Sequence, residues 1–316
     1  MVLVILVLSY SLYLARMLAV TILGNNSALP AYDRHPTAQV VTLEDQLFLV
    51  DCGEGTQMQL ARYKIRRSRI NHIFISHLHG DHYFGLIGLL TSMGLMNREH
   101  DLHLYAPAPL EELINWQLKI ASTTLPFKIQ FTPLNEDGII AQGTRFKVEA
   151  FKVFHRIDCW GFKFEQVKAP RKVNPLKARA HKIPEHFFDH LKRGEDYQRE
   201  DGSIVTNESV TDPAPKPLTY AFAADTAFNL EVAKKVYDVD MLYHEATYLK
   251  DLEERAIARF HCTSTQAAVI AENAKVGKLL LGHFSSKYEK LDPFLEEAKE
   301  IFPNTELALE GVTYRV

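Results

Sequence analysis

An α/β fold of two sheets covered by helices is predicted by three features of the sequence. Short apolar runs are bounded by turn residues, helical stretches alternate with them, and no linker rich in Gly, Pro or Ser divides the chain. With 316 residues, 47% of them apolar, the chain can fill one large core.

In order, AVTILG, AQVVTL, QLFLVDCG, HIFISH and LHLYAP read as strands. Between and after them, GTQMQLARYKI, YFGLIGLLTSMGLM and PLEELINWQLKIAS carry apolar residues at three- and four-residue spacing, the signature of helices. The later chain repeats the pattern, with strands near KVEAFKVFH, CWGFKFE, TYAFAAD, DMLYHEAT and GKLLLGH and helices near STQAAVIAENAK and PFLEEAKEIF. Residues 167–217 break it: they are polar, without sustained periodicity, and too long for an ordinary connection. They read either as a loose surface insertion or as an arm that grips a partner. Residues 1–23, MVLVILVLSYSLYLARMLAVTIL, are apolar over a length that could cross a bilayer and broken only by Arg16, yet no Lys or Arg precedes Arg16 as in the basic start of a signal peptide. The favoured reading is an extension upstream of a true start at Met17, with residues 17–316 as one domain.

Charge excludes little. The formal net charge is -3, so a polyanionic partner would have to be held by local clusters. Two exist: residues 62–69 carry five Arg or Lys in eight, and residues 171–182 carry five in twelve, including Arg171, Lys172, Lys177 and Arg179. Cys52, Cys159 and Cys262 are odd in number and widely spaced, which fits a reducing compartment rather than a disulfide scaffold.

The chemistry concentrates in SHLHGDHYFG, residues 76–85, directly after an apolar strand. H-x-H-x-D-H at a strand end sets His77, His79, Asp81 and His82 where one loop can fold them toward a point, and neutral imidazole with carboxylate suits zinc or a similar divalent ion. Three more candidates end later strands: His155, Asp225 and His283. Each alone is unremarkable, but their shared position relative to a strand points to one binuclear site. Asp51, ending QLFLVD, is either a turn aspartate or a residue that orients the histidine loop.

SHLHGDH, the isolated His155, ADT, HEAT, HCTSTQAA and GHFSSKY, with LGNNSALP and VDCGEGTQMQL before them, resemble in order the motifs of the ribonuclease Z branch of the metallo-β-lactamase superfamily. The resemblance runs from about Met17 to the end. It implies a four-layer αβ/βα sandwich with a protruding arm, usually a homodimer, holding two zinc ions. His77, His79 and His155 then fall on one zinc, Asp81, His82 and His283 on the other, and Asp225 bridges.

The implied reaction is removal of the 3′ trailer from precursor tRNA in the cytoplasm, with no membrane partner. Cutting follows the discriminator nucleotide and leaves a 3′-hydroxyl on the tRNA. The resemblance makes Asp81 the acceptor of the water's proton, His261 the proton donor to the departing 3′-oxygen, and Glu245 the residue that orients His261. The residues alone leave alternatives open, a helix-capping His261 and a structural Glu245. Ser285 and Lys287 beside His283 suit a backbone phosphate, or simply a solvated loop. The segment containing HKIPEHFFDHLKRGED resembles the family's tRNA-clamping arm, although EHFFDH stands where many members have a Gly-Pro-rich turn and Ala224 replaces a usual glycine. His181, His186 and His190 read as surface histidines of that arm. The rival readings are a binuclear hydrolase of a small phosphodiester or other ester, and a non-catalytic RNA- or metal-binding relative.

Overall fold

The computed structural model describes residues 17–316, so the reading of residues 1–16 lies outside the described residues. Among those described, no helix is long and apolar enough to cross a membrane. The chain forms two compact units, the larger from residues up to Glu165 and from Leu218 onward, the smaller from Gln166–Pro217.

In the larger unit, strands β1 (Leu18–Gly24), β2 (Ala38–Leu43), β3 (Gln46–Val50), β4 (Ile70–Phe74), β5 (Leu102–Ala106) and β6 (Ile129–Pro133) lie side by side in chain order. The carboxy-terminal strand Thr313–Arg315 pairs with the free edge of β1. A second sheet runs β7 (Gly138–Gln142), β8 (Phe146–Val153), β9 (Cys159–Gln166), β10 (Thr219–Ala223), β11 (Met241–Glu245), β12 (Lys278–Gly282) and β13 (Thr305–Leu307), again in spatial order. Strands β3 to β6 are mutually parallel, as are β10 to β13.

Successive side chains of a strand point to opposite faces, and the central strands are buried on both. Phe48, Val50 and Phe74 join Phe151, Phe162 and Phe164 in a cluster shared by the two sheets. Phe48 meets Phe164 at 5.5 Å and Phe74 meets Phe162 at 5.3 Å between ring centroids. The alternate residues Leu47, Leu49 and Ile73 pack instead on helices over Thr56–Arg62, Leu86–Leu95 and Pro109–Ile120, through Leu60, Leu89, Leu90 and Ile114. Ala267 and Ala271 of a helix over Ser264–Ala274, with Phe294 of another over Asp292–Lys299, cluster with Leu279 and Leu281 of β12. The layers are therefore helix, sheet, sheet, helix, as the sequence predicts. Each fully buried Phe or Leu stabilises the fold by roughly 1.5–3 kcal/mol, which lets the strand ends carry groups that are costly to desolvate.

The smaller unit has its own core of Ala178, Ile183, Leu191, Val205 and Val210. A helix at Pro175–Ala180 starts with the Asn174 side chain accepting from the Lys177 amide, and one at Phe188–Arg193 stops at Gly194, whose φ is 95°. Two-residue ladders pair Lys172–Val173 with Thr211–Asp212 and Tyr197–Gln198 with Ile204–Val205. The loose-insertion alternative is thereby corrected: the segment is folded, but its elements are too short to print a period in the sequence.

Candidate metal centre

All the strand-end candidates come from the carboxyl edges of the two sheets. At the end of β3 the chain turns through Asp51, whose φ is 56°. That buried carboxylate accepts from the Ser76 amide at 2.7 Å, the Ser76 hydroxyl at 2.9 Å and His82 Nδ1 at 2.7 Å. It thus fixes the loop after β4. The loop is also pressed against its neighbour, since a Cβ on Gly85 would stand 2.2 Å from the Gly53 carbonyl oxygen. Only glycine fits there.

One group of nitrogens converges on His79 Nδ1, with His77 Nε2 at 2.9 Å and His155 Nε2 at 3.1 Å. In a second group, His82 Nε2 and His283 Nε2 stand 3.5 and 3.4 Å from Asp81 Oδ2. Asp225 lies between the two. Its Oδ1 is 3.1 Å from His283 Nε2 and 3.4 Å from His82 Nε2, and its Oδ2 is 3.6 Å from His77 Nε2 and 4.0 Å from His155 Nε2.

Backbone and hydroxyl partners hold the outer nitrogens of His77, His155 and His283, so their inner ones present lone pairs to the centre, while Asp51 holds the outer nitrogen of His82 and Arg156 faces that of His79. His155 Nδ1 donates to the Phe260 carbonyl at 3.0 Å, and His77 Nδ1 lies 3.0 Å from the Ser76 hydroxyl. His283 Nδ1 lies 2.9 Å from the Thr247 hydroxyl, which in turn donates to Glu245 Oε2 at 2.7 Å. Thr247 was not singled out from the sequence. Thr247→Val keeps the shape and loses the hydroxyl, and should weaken metal binding about 10–100-fold. Competition with a chromophoric chelator measures this, and an unchanged affinity would remove Thr247 from the site.

The residues present fit a cation. His82 Nε2 and Asp225 Oδ1 are buried and make no hydrogen bond among the described residues, a costly state for polar atoms unless something else meets them. Burial opposes charge on His82, yet Asp225, Asp81 and Asp51 outweigh it and hold the ring well above the ordinary histidine range. The potential there is negative. Burial, with His82 beside it, keeps His77 well below that range, hence neutral and able to ligate. The His/Asp cluster is compatible with a metal site.

Glu245 and His261 stand beside this cluster. Glu245 is buried; its Oε1 accepts from the Thr226 amide at 3.0 Å and from His261 Nδ1 at 2.9 Å, and its Oε2 accepts from the Thr247 amide at 3.1 Å. Burial pulls the His261 pKa down, but the Glu245 carboxylate outweighs it and the ring is pushed up to about 9. His261 also offers a nitrogen near Asp225 and His283. With Nδ1 held by Glu245, the protonated ring has its Nε2–H left to donate.

A cleft of about 720 Å³ opens over the cluster, and Ser285 and Lys287 line it. Arg171, Lys172, Lys177 and Arg179 belong to the smaller unit, where Arg171 donates to the Thr211 hydroxyl at 2.8 Å and Arg179 pairs with Glu185 at 2.9 Å. His181, His186 and His190 join no ligand group among the described residues. Sequence reasoning also missed Arg156, Arg255 and Arg259, which line the cleft.

Residues 18–165 match a family model described as Anti-Pycsar protein Apyc1. Among solved structures, the short form of human tRNase Z superposes with a TM-score of 0.68 at 25% identity, over 93% of this chain and 98% of that one. The metallo-β-lactamase fold protein YhfI from Bacillus subtilis gives a TM-score of 0.68 at 19% identity, over 95% of this chain and 100% of that one, a likeness of fold alone. The ribonuclease Z of Bacteroides fragilis is 41% identical over 293 residues, which make up 92% of this chain and 96% of that protein. So much identity across nearly the full length of both chains extends well past the fold they share, and the chain belongs to the ribonuclease Z family.

Proposed function

We propose that this chain is a zinc-dependent endoribonuclease that removes the 3′ trailer from precursor tRNA. It would cut after the discriminator nucleotide, leaving a 3′-hydroxyl on the tRNA and a 5′-phosphate on the trailer. The observation that carries this is the Glu245–His261 pair set beside the two ligand groups, because a departing ribose oxygen needs a proton and His261 has one to give. Membership of the ribonuclease Z family supports the substrate.

His77, His79 and His155 would hold one zinc, Asp81, His82 and His283 the other, and Asp225 both, a donor set that zinc accepts. Bound there, two zinc ions would bring a water's pKa near neutrality and polarise the phosphoryl oxygen. Asp81 takes the attacking water's proton. His261, its Nδ1 held by Glu245, gives the proton on Nε2 to the 3′-oxygen as the phosphorus–oxygen bond breaks. Thr226 and Thr247 hold Glu245 so that the acid stays oriented.

The basic residues Arg171, Lys172, Lys177 and Arg179 of the smaller unit would contact the tRNA body, as an arm. Exposed Met58, Leu95 and Met96 suit a homodimer contact. Three buried free cysteines suit the reducing cytoplasm.

The test is to incubate the protein with a 5′-labelled precursor tRNA, with and without a chelator, and to map the product ends at nucleotide resolution. One chelator-sensitive cut after the discriminator nucleotide is expected. Survival of the precursor while bis(p-nitrophenyl) phosphate is hydrolysed would leave a small-ester hydrolase instead.

A further inference from the structure

Three guanidinium groups line the cleft without a carboxylate partner among the described residues. Arg156 follows the ligand candidate His155, and its Nη2 lies 2.8 Å from His79 Nε2. Arg255 and Arg259 both come from a helix over Glu253–Arg259. Four residues apart, they share one helix face and sit about 6 Å apart along the axis, the scale of successive phosphates in a nucleic-acid strand. Asp251 lies one turn before Arg255, yet no ion pair forms between them; Arg255 instead lies over the Tyr248 ring, 5.8 Å from its centroid.

Several surface cations elsewhere are paired, for Arg193, Lys234 and Lys278 each reach a carboxylate within 2.9 Å. The acids that line the cleft are Glu54, Asp81 and Asp225, and the last two face the histidines. Arg255 and Arg259 therefore have no carboxylate to compete with an anion, and Arg156 gives one N–H to His79 Nε2 out of the five its guanidinium carries. The same cleft carries exposed aromatic surface, with Phe84 64% and Phe260 43% accessible. Cations and bare aromatic faces in one cleft are what a single strand needs: phosphates meet the charges, and bases stack on the rings.

We propose that this wall is a single-strand RNA subsite, in which Arg156, Arg255 and Arg259 hold the phosphates flanking the scissile one while Phe84 and Phe260 take base faces. The inference rests on the reaction proposed above and adds what selects its substrate: a run of phosphodiesters rather than one. A small ester reaches the metal ligands but leaves the wall empty.

Binding of a labelled precursor tRNA is measured in a His261→Ala background, so that the substrate survives, across a salt series. The double variant Arg255→Ala/Arg259→Ala should bind at least 10-fold more weakly. The slope of log affinity against log salt should fall by about 0.7 for each arginine lost. Arg255→Lys/Arg259→Lys keeps the charges and should keep the slope. Unchanged affinity and slope in the alanine variant would overturn the inference, and so would a lysine variant that loses the slope as the alanine variant does, since the effect would then be structural. Failure of the parent reading shows elsewhere: the wild-type protein would leave precursor tRNA uncut.

Discussion

Replacing Asp225 with alanine is expected to lower cleavage of precursor tRNA by on the order of a thousandfold or more, the rate equivalent of the several kcal/mol that metal ions supply at a phosphoryl oxygen. The reason is position. Its two oxygens face different histidines, Oδ1 toward His82 and His283 and Oδ2 toward His77 and His155, so one truncation weakens both ligand groups. Asparagine should not rescue the loss. Its carbonyl oxygen can serve one side, but its amide nitrogen carries hydrogens and turns them toward the other. Metal content separates this account from a general loss of structure. Elemental analysis of the wild type should give two zinc ions per chain, and the variant one or none, with the thermal transition still cooperative. An Asp225→Ala protein that kept both ions and its activity would remove Asp225 from the bridging position.

The clustering of the histidine loop was legible because its candidate ligands lie within six residues of each other and follow a strand, so local spacing already fixes their convergence. His155, Asp225 and His283 were legible for a related reason: each ends an apolar run, and parallel strands bring such ends to one edge. Thr247 depends on something the local sequence does not express. Its hydroxyl reaches His283 only because β11 and β12 are parallel neighbours, paired from Met241↔Lys278 to Glu245↔Gly282. Its place two residues after Glu245 was the available signal. Strands β6 and β7 escaped notice because they are partly exposed edge strands with weak apolar runs. Arg255 and Arg259 sit in a short polar helix, and only the folded chain ties that face to the cleft. Residues 166–217 hide their structure through short elements, since a six-residue helix completes fewer than two turns.

His261→Ala should reduce kcat for precursor tRNA by about 10²–10⁴, the range a positioned general acid supplies, and leave KM nearly as it was. The leaving group tells whether the proton is what is lost. A p-nitrophenyl ester departs as a stabilised anion and needs little protonation, so its hydrolysis should fall at least tenfold less than that of the RNA. Glu245→Gln tests the cause of the acid's pKa. In the wild type, burial favours the neutral ring, but the Glu245 charge, helped by Asp225 and Asp81, outweighs it and keeps the ring protonated up to about pH 9. An acid works only while it holds its proton, so activity should decline as pH rises through that value. With glutamine the hydrogen bond to Nδ1 can persist while the charge is gone, and burial then pulls the pKa down with only Asp225 and Asp81 opposing it. The alkaline limb should therefore move to lower pH, costing activity at pH 8 while sparing more of it near pH 6. Metal ions held at the neighbouring cluster would carry positive charge and push the same way, which would set the wild-type limb at or below pH 9 and make Glu245 the group that keeps it from falling further. If the limb stays in place in Glu245→Gln, the proton donor is not His261, and Glu245 serves the fold through Thr226 and Thr247 alone.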